Sequence, residues 1–201
     1  MNALPPPLCV LVLAAGAARR MRGADKLLEP VGGLPLLRRV AEMALGTGLP
    51  VWVALPPDRP ARAMALKGLP LGLVTVPDAA EGMAASLRAG LADCPEGAAV
   101  LLLLADMPEI DAADLTRMIA AHQAQPQHIL RGACADGRPG HPVLFPAWAR
   151  AELAGLHGDS GAKPLLQAHA GRVSHVPLPD THALTDLDTP EDWAAWRAAR
   201  G

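Results

Sequence analysis

Hydrophobic residues along the chain form two kinds of pattern, short continuous runs and stripes at helical spacing. The runs at 8–14 and 99–105 are almost wholly apolar, which is typical of strands buried on both faces of a sheet. Further strands are predicted at 51–55, 71–76, 128–131, 142–145, 173–177 and 183–187. The stripes predict helices at 35–45, 59–67, 83–92, 111–123, 147–156, 161–170 and 190–199, with Asp111 and Thr189 as N-caps.

Strands and helices alternate along most of the chain, and this order favours an α/β fold. Because a strand–helix–strand unit joins parallel strands, we expect a Rossmann-like, three-layer α/β/α arrangement around a mainly parallel, mixed sheet. The 201 residues suit a single domain spanning 1–201, since no linker or low-complexity block divides them. The less regular second half is expected to supply a substrate-binding lobe or edge strands.

The composition of the chain argues against nucleic acids and membranes as binding partners. The formal net charge is −2 and aromatic residues make up 2% of the chain, so neither a basic field nor a stacking platform indicates nucleic acid. The first apolar run is too short to span a bilayer and no Lys or Arg precedes it, which argues against a membrane anchor and a signal peptide. We therefore expect a cytoplasmic protein that binds neither nucleic acid nor membranes.

The segment 13–26, Leu-Ala-Ala-Gly-Ala-Ala-Arg-Arg-Met-Arg-Gly-Ala-Asp-Lys, directly follows the first predicted strand. Its small residues let backbone N–H groups approach phosphate oxygens, and its Arg and Lys side chains can neutralise their charge. The segment is not a P-loop, since Leu27 follows Lys26, and it lacks the second glycine of G-x-G-x-x-G, since Ala18 stands there. It therefore predicts a polyphosphate site of another class.

A second candidate follows the central strand. Asp106 precedes Met107 and Pro108 at the edge of the sheet where ligands bind in such folds. A carboxylate in that place can hold Mg²⁺ together with ligand phosphates. An isolated Asp is more readily a cap of the next turn, and only the pairing with segment 13–26 favours the metal.

Several motifs, taken in order, resemble the nucleotidyltransferases of the molybdenum-cofactor type. Segment 13–28 with Gly33-Leu-Pro-Leu-Leu, and Asp106-Met-Pro, are similar to the nucleotide- and metal-binding motifs of that family. Ala14-Ala-Gly, Glu81-Gly-Met-Ala-Ala-Ser-Leu-Arg-Ala-Gly and the blocks at 137–145, 158–163 and 185–192 resemble its molybdenum cofactor cytidylyltransferase branch. The resemblance implies a nucleotide-diphospho-sugar transferase fold. It also implies transfer of CMP from CTP to the terminal phosphate of molybdopterin or molybdenum cofactor, with release of pyrophosphate.

The resemblance further implies roles for individual residues. Lys26, Arg20 and Asp106 are the implied catalytic residues. The implied nucleotide-binding residues are Leu13, Ala14, Ala15, Gly16, Arg20, Lys26, Gly82, Ser86 and Asp106. His141 and Asp159 are implied contacts to the pterin, and Mg²⁺ is the implied cofactor, held by Asp106 and Asp186. A molybdoenzyme or its maturation chaperone is the implied recipient of the product.

Alternatives stay open for several of these predictions. Asp186 and Asp188 would share a face of the strand predicted at 183–187, but Asp188 can equally cap the next helix, which leaves Asp186 as the second ligand. Ser86 can be an ordinary helical serine, and His141 a structural histidine. The function can also be that of a guanylyltransferase, of a transferase acting on another phosphorylated acceptor, or of a non-catalytic molybdenum cofactor carrier. A carrier is disfavoured because it needs neither Lys26 nor Asp106.

Overall fold

The computed structural model describes residues 7–158 and 161–200, with Arg19 described by its backbone alone. The strands are β1 (Leu8–Leu13), β2 (Pro30–Val31), β3 (Leu34–Pro35), β4 (Val51–Leu55), β5 (Gly72–Thr75), β6 (Ala99–Leu104), β7 (Ile129–Ala133), β8 (Pro139–Phe145) and β9 (Val173–Pro177). The helices are α1 (Leu36–Leu45), α2 (Pro60–Ala65), α3 (Met83–Asp93), α4 (Ala112–Ala124), α5 (Arg150–Ala154), α6 (Lys163–Ala168) and α7 (Pro190–Ala198).

Seven strands form the main sheet in the order β5-β4-β1-β6-β8-β7-β9, and β2 pairs with β3 in a separate hairpin. β1 runs parallel to β4 and β6, β4 parallel to β5, and β7 parallel to β9. β8 runs antiparallel to both of its neighbours, β6 and β7. The predicted α/β fold with a mainly parallel, mixed sheet is therefore confirmed.

The strand order reverses its direction between β1 and β6. The chain builds outwards from β1 through β4 to β5, and α3 then returns it to the other side of β1 as β6. Such a reversal leaves a crevice at the carboxyl ends of the two strands that flank it. The segment after β1 and Asp106 after β6 consequently meet at one edge of the sheet.

Helices cover both faces of the sheet. α1, α4 and α7 lie on one face and α3, α5 and α6 on the other, and each group packs into its own buried apolar cluster. Neighbouring residues of β1, such as Val10 and Leu11, enter opposite clusters because side chains alternate along a strand. This confirms the three-layer arrangement. Within the described residues no helix is both long and apolar enough to span a bilayer.

Both predicted N-caps are confirmed. The Asp114 amide donates to the Asp111 carboxylate at 2.9 Å, and the Asp111 amide donates to the Asp114 carboxylate at 3.1 Å. Thr189 and Asp192 form the same reciprocal arrangement ahead of α7. Each box satisfies amides that the first turn of a helix leaves without partners. The cap of α7 is thus the Thr189 hydroxyl and not the Asp188 carboxylate.

The strand predicted at 183–187 is wrong. Residues 181–184 form turns, in which the Leu184 amide donates to the Thr181 carbonyl at 2.8 Å. The segment is held by two bonds to other parts of the chain, His141 N–H to the Ala183 carbonyl at 2.8 Å and Leu187 N–H to the Asp106 carbonyl at 3.3 Å. The apolar pattern there reflects residues buried within an irregular loop. Because there is no strand at 183–187, Asp186 and Asp188 cannot share a strand face.

The remaining differences concern element length and one small hairpin. The helices predicted at 147–156 and 161–170 are shorter, as α5 and α6. The hairpin of β2 and β3 was not predicted. Its turn residues Gly32 and Gly33 both have positive φ, 60° and 84°, which glycine adopts without strain.

Candidate active site

A cleft of about 850 Å³ lies at the carboxyl ends of β5, β4, β1 and β6. The residues after β1 form its floor, and those after β4 and β5 form one wall. All nine predicted nucleotide-binding residues line this cleft, namely Leu13, Ala14, Ala15, Gly16, Arg20, Lys26, Gly82, Ser86 and Asp106. Asp188 lines it as well. The geometry therefore brings the two sequence motifs into one site.

Lys26 lies between two carboxylates. Its Nζ is 2.5 Å from Asp106 Oδ2 and 2.5 Å from Asp188 Oδ1. The side chain of Lys26 is only 12% exposed. Because the ammonium is largely removed from water, solvent screens its attraction to the two carboxylates less than it screens a surface ion pair. This cluster links segment 13–26, the end of β6 and the residues before α7.

The electrostatics keep Lys26 positively charged. Burial on its own would lower the pKa of Lys26. The charge of Asp106 and hydrogen bonds to Asp106 and Asp188 outweigh burial, so the pKa lies above its ordinary value. Lys26 therefore presents a full charge to the cleft at any physiological pH.

The arginines of the segment differ in position. Arg20 Nη1 lies 2.6 Å from Asp188 Oδ2, and its side chain is 72% exposed at the mouth of the cleft. Arg22 instead pairs with Glu191 at 2.7 Å, both groups being well exposed outside the cleft. Arg20 can therefore turn toward a bound anion at little cost, whereas Arg22 is a surface arginine.

The segment reaches this geometry through two left-handed residues. Ala18 and Arg22 have φ of 50° and 52° on either side of the short turn Arg19–Met21. Such conformations cost residues other than glycine about 1 kcal/mol each. The buried side chain of Met21 anchors the turn between them. The chain thereby folds back so that Arg20 and Lys26 face the same space.

Asp186 lies beside this cluster without entering its ion pairs. It is an exposed residue, yet its pKa is raised, first by partial burial of the carboxylate and then by the charges of Asp106 and Asp188. The influence of these two charges indicates that Asp186 lies near the cluster, although Asp186 does not line the cleft. Asp188, for which the sequence equally allows a capping role, is the carboxylate that directly faces Asp106 across Lys26.

Part of the wall formed by the residues after β4 and β5 consists of small and apolar residues. Pro56, Pro57 and Pro77 contribute to it, together with Gly82 and Ser86 at the start of α3. Gly82 adopts φ 106° and ψ −164°, a conformation that is essentially restricted to glycine. The Ser86 residue is buried in the first turns of α3. A flat ring fits such a wall, and the positive end of α3 favours electron-rich atoms there.

Of the two predicted pterin contacts, only His141 lies within the described residues; Asp159 lies outside them. His141 does not line the cleft, but its pKa is lowered to about 4 by burial and by Arg131, with Asp106 opposing. Its Nδ1 is buried without a hydrogen-bond partner among the described residues. The backbone at Gly140 packs tightly against the loop that contains Ala183. A Cβ there would lie 1.8 Å from the Ala183 carbonyl oxygen.

A separate cluster has the spacing to hold a metal ion. Ligand atoms of Asp111, Asp114 and His182 all lie within 4.8 Å of one another. The two carboxylates already form the capping box of α4, and His182 Nδ1 lies 2.7 Å from Asp114 Oδ2. None of the three lines the cleft. These contacts give the cluster a structural role, because they attach the loop at 181–184 to the start of α4.

The sequence favours Asp186 over Asp188 as the second carboxylate and does not identify Arg59. Asp188 pairs with both Lys26 and Arg20. Arg59, just after β4, lines the cleft and donates to the Ala17 carbonyl at 3.1 Å. Charged residues following an apolar strand were the available signal, and Pro-Pro-Asp-Arg at 56–59 has that form.

Residues 10–173 match the model of the MobA-like NTP transferase domain. The fold and this family match therefore define a nucleotidyltransferase-type protein. The chain belongs to the MobA-like NTP transferase domain family, and the resemblance found in its motifs is confirmed at that level.

Curated relatives within this range carry different activities in their names. The chain is 28% identical over 194 residues to nicotine blue oxidoreductase of Paenarthrobacter nicotinovorans, covering 92% of this chain and 94% of that protein. It is 30% identical over 188 residues to molybdenum cofactor guanylyltransferase of Cupriavidus metallidurans, covering 90% of each. Membership of the family therefore leaves the choice of nucleotide and acceptor undecided.

Solved structures agree with the fold. Rv0371c of Mycobacterium tuberculosis H37Rv superposes with a TM-score of 0.83 at 31% identity, covering 96% of this chain and 98% of that one. The same protein in complex with manganese matches with a TM-score of 0.79 at 29% identity and the same coverage. CMP:2-keto-3-deoxy-manno-octonic acid synthetase complexed with CTP shares the fold alone, at 15% identity and a TM-score of 0.75 over 96% of this chain. The nucleotide-diphospho-sugar transferase fold is thus confirmed.

Proposed function

We propose that this protein transfers CMP from CTP to the terminal phosphate of molybdopterin or molybdenum cofactor, releasing pyrophosphate. The observation that carries the proposal is the ammonium of Lys26 held between Asp106 and Asp188 in a cleft lined by the whole predicted nucleotide set. Fixed cations and carboxylates side by side are what a triphosphate with a divalent cation requires. The chain 1–201 would act as one nucleotidyltransferase domain.

The proposed step is a displacement at the α-phosphorus. An oxygen of the acceptor phosphate forms a bond to the α-phosphorus while the bond from that phosphorus to the bridging oxygen of the β-phosphate breaks. Pyrophosphate leaves with the electron pair, and the product is a phosphoanhydride. Because the attacking phosphate is already an anion, no general base is needed, and catalysis rests on positioning and charge stabilisation.

Lys26 and Arg20 have distinct proposed roles. Lys26 is buried, fixed and fully charged, so it suits the α-phosphate, where charge develops during the displacement. Arg20 is exposed and, among the described residues, pairs with Asp188 alone, so it suits the β- and γ-phosphates, which must bind and leave. The backbone amides of Ala15 and Gly16 would add further donors, whereas the Ala14 amide already donates to the Ala54 carbonyl at 3.0 Å.

The proposed cofactor is Mg²⁺, held by Asp106 and a carboxylate from the loop before α7. The residues fit this role because Asp106 and Asp188 already direct oxygens at one common cation, the Lys26 ammonium. Asp186 remains the sequence-based proposal, and Asp188 has the more direct geometry. When bound, Mg²⁺ would neutralise phosphate oxygens and polarise the α-phosphate.

Cytidine is the proposed base because the motifs around Ala15 and 81–90 resemble the cytidylyltransferase branch. Gly82 and the Ser86 hydroxyl would read its polar edge on the proline-lined wall. The guanylyltransferase reading is the second candidate, favoured by the name of the Cupriavidus relative at 30% identity. Thermal stabilisation by each nucleotide with Mg²⁺ separates them, since a ten-fold preference corresponds to about 1.4 kcal/mol.

His141 and Asp159 are the proposed pterin contacts, and a molybdoenzyme or its maturation chaperone is the proposed recipient. A non-catalytic carrier would also need a pterin site but would have no use for Lys26 facing two carboxylates. The same cluster favours phosphate chemistry over the activity in the name of the Paenarthrobacter relative. Other phosphorylated acceptors are alternatives that a direct assay distinguishes.

The deciding experiment incubates the protein with Mg²⁺, molybdenum cofactor and each nucleoside triphosphate in turn, with mass detection of dinucleotide and pyrophosphate. We expect the cytosine dinucleotide to form with CTP, and Lys26→Met to lower its rate of formation by about 10²-fold or more. Lys67→Met, which changes an exposed lysine on the surface, is the matched control and should keep full activity. A guanine dinucleotide alone, or unchanged activity in Lys26→Met, would count against the proposal.

A further inference from the structure

Arg62 is a charged residue that is completely buried, with a side chain 0% exposed. It lies on α2, outside every motif recognised in the sequence. Its Nε donates to Asp25 Oδ2 at 2.8 Å and its Nη2 donates to Asp25 Oδ1 at 3.0 Å. Its Nη1 donates to the Ala14 carbonyl at 2.5 Å. One planar group therefore binds two separate parts of segment 13–26.

The two partners of Arg62 lie at the two ends of that segment. Ala14 directly follows β1, and Asp25 directly precedes Lys26. Asp25 also accepts from the Leu27 amide at 3.1 Å and its carbonyl accepts from the Leu28 amide at 2.9 Å. The backbone on either side of Lys26 is thus fixed to the guanidinium and, through the buried Leu27 side chain, to the core.

Stability alone is a weak reason for such a pair. Desolvation of two buried charges offsets most of their attraction, and apolar residues of similar volume are often as stable or more so. An apolar pair cannot fix the relative orientation of the two segments it joins, because dispersion contacts are not directional. A guanidinium with three fixed donors sets both distance and angle between its partners.

We propose that Arg62 is a positioning residue for Lys26, acting through Asp25. It holds the start of the turn Lys26–Leu28 at a set distance from the end of β1, so that the ammonium reaches Asp106 and, with ligand bound, the α-phosphate. The proposal rests on the proposed function of Lys26. It adds a residue that touches neither nucleotide nor acceptor.

The first test replaces the ion pair by Arg62→Met with Asp25→Ser, which removes both charges while the serine hydroxyl can still accept from the Leu27 amide. We expect kcat for dinucleotide formation to fall by about 30-fold or more while KM for CTP changes by less than about three-fold. The reason is that other groups bind the triphosphate, whereas Lys26 acts on charge that develops in the displacement. A double variant with the wild-type kcat would overturn the proposal.

The second test does not depend on any reaction. The chain contains three lysines, Lys26, Lys67 and Lys163, of which the latter two are exposed. Selective ¹³Cε-lysine labelling therefore gives three signals, and Lys→Arg variants assign them. We expect Lys26 to stand apart from the exposed pair in the wild type and to move toward them in the double variant. An unmoved Lys26 signal would refute the positioning role even if the protein has another activity.

A control removes another arginine–carboxylate pair, one that is more exposed but makes the same number of backbone-linked contacts or more. Arg38 binds Glu42 at 2.8 Å and the carbonyls of Ala65 and Lys67 at 3.0 and 3.2 Å, joining α1 to the end of α2. Arg38→Met with Glu42→Ser should change melting temperature but leave kcat and the Lys26 signal unchanged. If this control variant changes both kcat and the Lys26 signal, the effect of the Arg62 substitution reflects a general loss of rigidity and the proposal fails.

Arg62→Lys keeps the proposal testable if the double variant does not fold. Lysine keeps the charge but cannot bind Asp25 through two nitrogens and the Ala14 carbonyl at once. We expect a folded protein with a smaller loss of kcat and a partial shift of the Lys26 signal. Wild-type values of both would overturn the proposal.

Discussion

Lys26 and Asp188 are separated by 162 positions in the chain, yet Lys26 Nζ lies 2.5 Å from Asp188 Oδ1. This pair connects the segment after the first strand to the loop before the last helix. Asp106 meets the same ammonium from the central strand. The ammonium therefore occupies a position between two carboxylates that suits a cation of higher charge.

Replacing Lys26 should strengthen the binding of a divalent cation on its own. In the wild type the cation must compete with the ammonium for Asp106 and Asp188, and in Lys26→Met it need not. We expect Mn²⁺ to bind Lys26→Met roughly ten-fold more tightly, while turnover falls by about 10²-fold or more because the charge on the α-phosphate is no longer stabilised. Mn²⁺ binding is measured by the loss of the free-ion EPR signal. Equal or weaker binding than in Lys67→Met would contradict this competition.

Asp188 and Asp186 can be distinguished as metal ligands by a matched pair of variants. Asp188→Asn removes the carboxylate that faces Asp106, so Mn²⁺ affinity should fall by about ten-fold or more. Asp186→Asn removes a neighbouring charge and should weaken Mn²⁺ only about two- to three-fold. Isothermal titration of Mn²⁺ into each variant gives the comparison. The reverse order of effects would restore Asp186 as the ligand.

The first half of the site could be predicted because its determinants are local. A small-residue segment after an apolar run places Leu13 to Gly16 at the end of a strand, and parallel strand direction brings Asp106 to the same edge. Both follow from patterns within a few residues. The capping residues Asp111 and Thr189 could be predicted because a helix cap is also a local pattern.

The second half could not be predicted because it depends on contacts between distant segments. Asp188 precedes the cap Thr189, and its neighbours are compatible both with a cap and with an ion pair. Only the packing of 181–188 against Gly140 and Asp106 brings the carboxylate to Lys26. The role of Arg62 could not be predicted either, because its partners Ala14 and Asp25 lie far from it in the sequence.

Gly140 should be essential for the position of Asp188. Because a Cβ at this position would meet the Ala183 carbonyl oxygen, Gly140→Ala must displace the loop at 181–188. We expect about 1–3 kcal/mol lower free energy of unfolding, the usual cost of overpacking, and weaker Mn²⁺ binding. Urea unfolding and Mn²⁺ titration measure the two effects. Gly171→Ala, where a Cβ meets nothing within 4 Å, is the control and should change neither. A Gly140→Ala protein with wild-type stability would contradict the close approach.

His141 should make the fold less stable as the pH falls. Burial first, and then the charge of Arg131, lower its pKa in the folded protein to about 4, against 6.5 for an ordinary histidine. As the pH falls through this interval the unfolded chain takes up a proton before the folded protein does, so stability is lost between the two pKa values. This one group should remove about 2 kcal/mol between pH 8 and pH 5. Urea unfolding of the wild type and of His141→Gln at both pH values isolates that part, because all other groups cancel in the difference. The exposed His157→Gln variant should follow the wild type. A pH dependence in His141→Gln as steep as that of the wild type would show that His141 gains a proton in the folded protein as easily as in the unfolded chain.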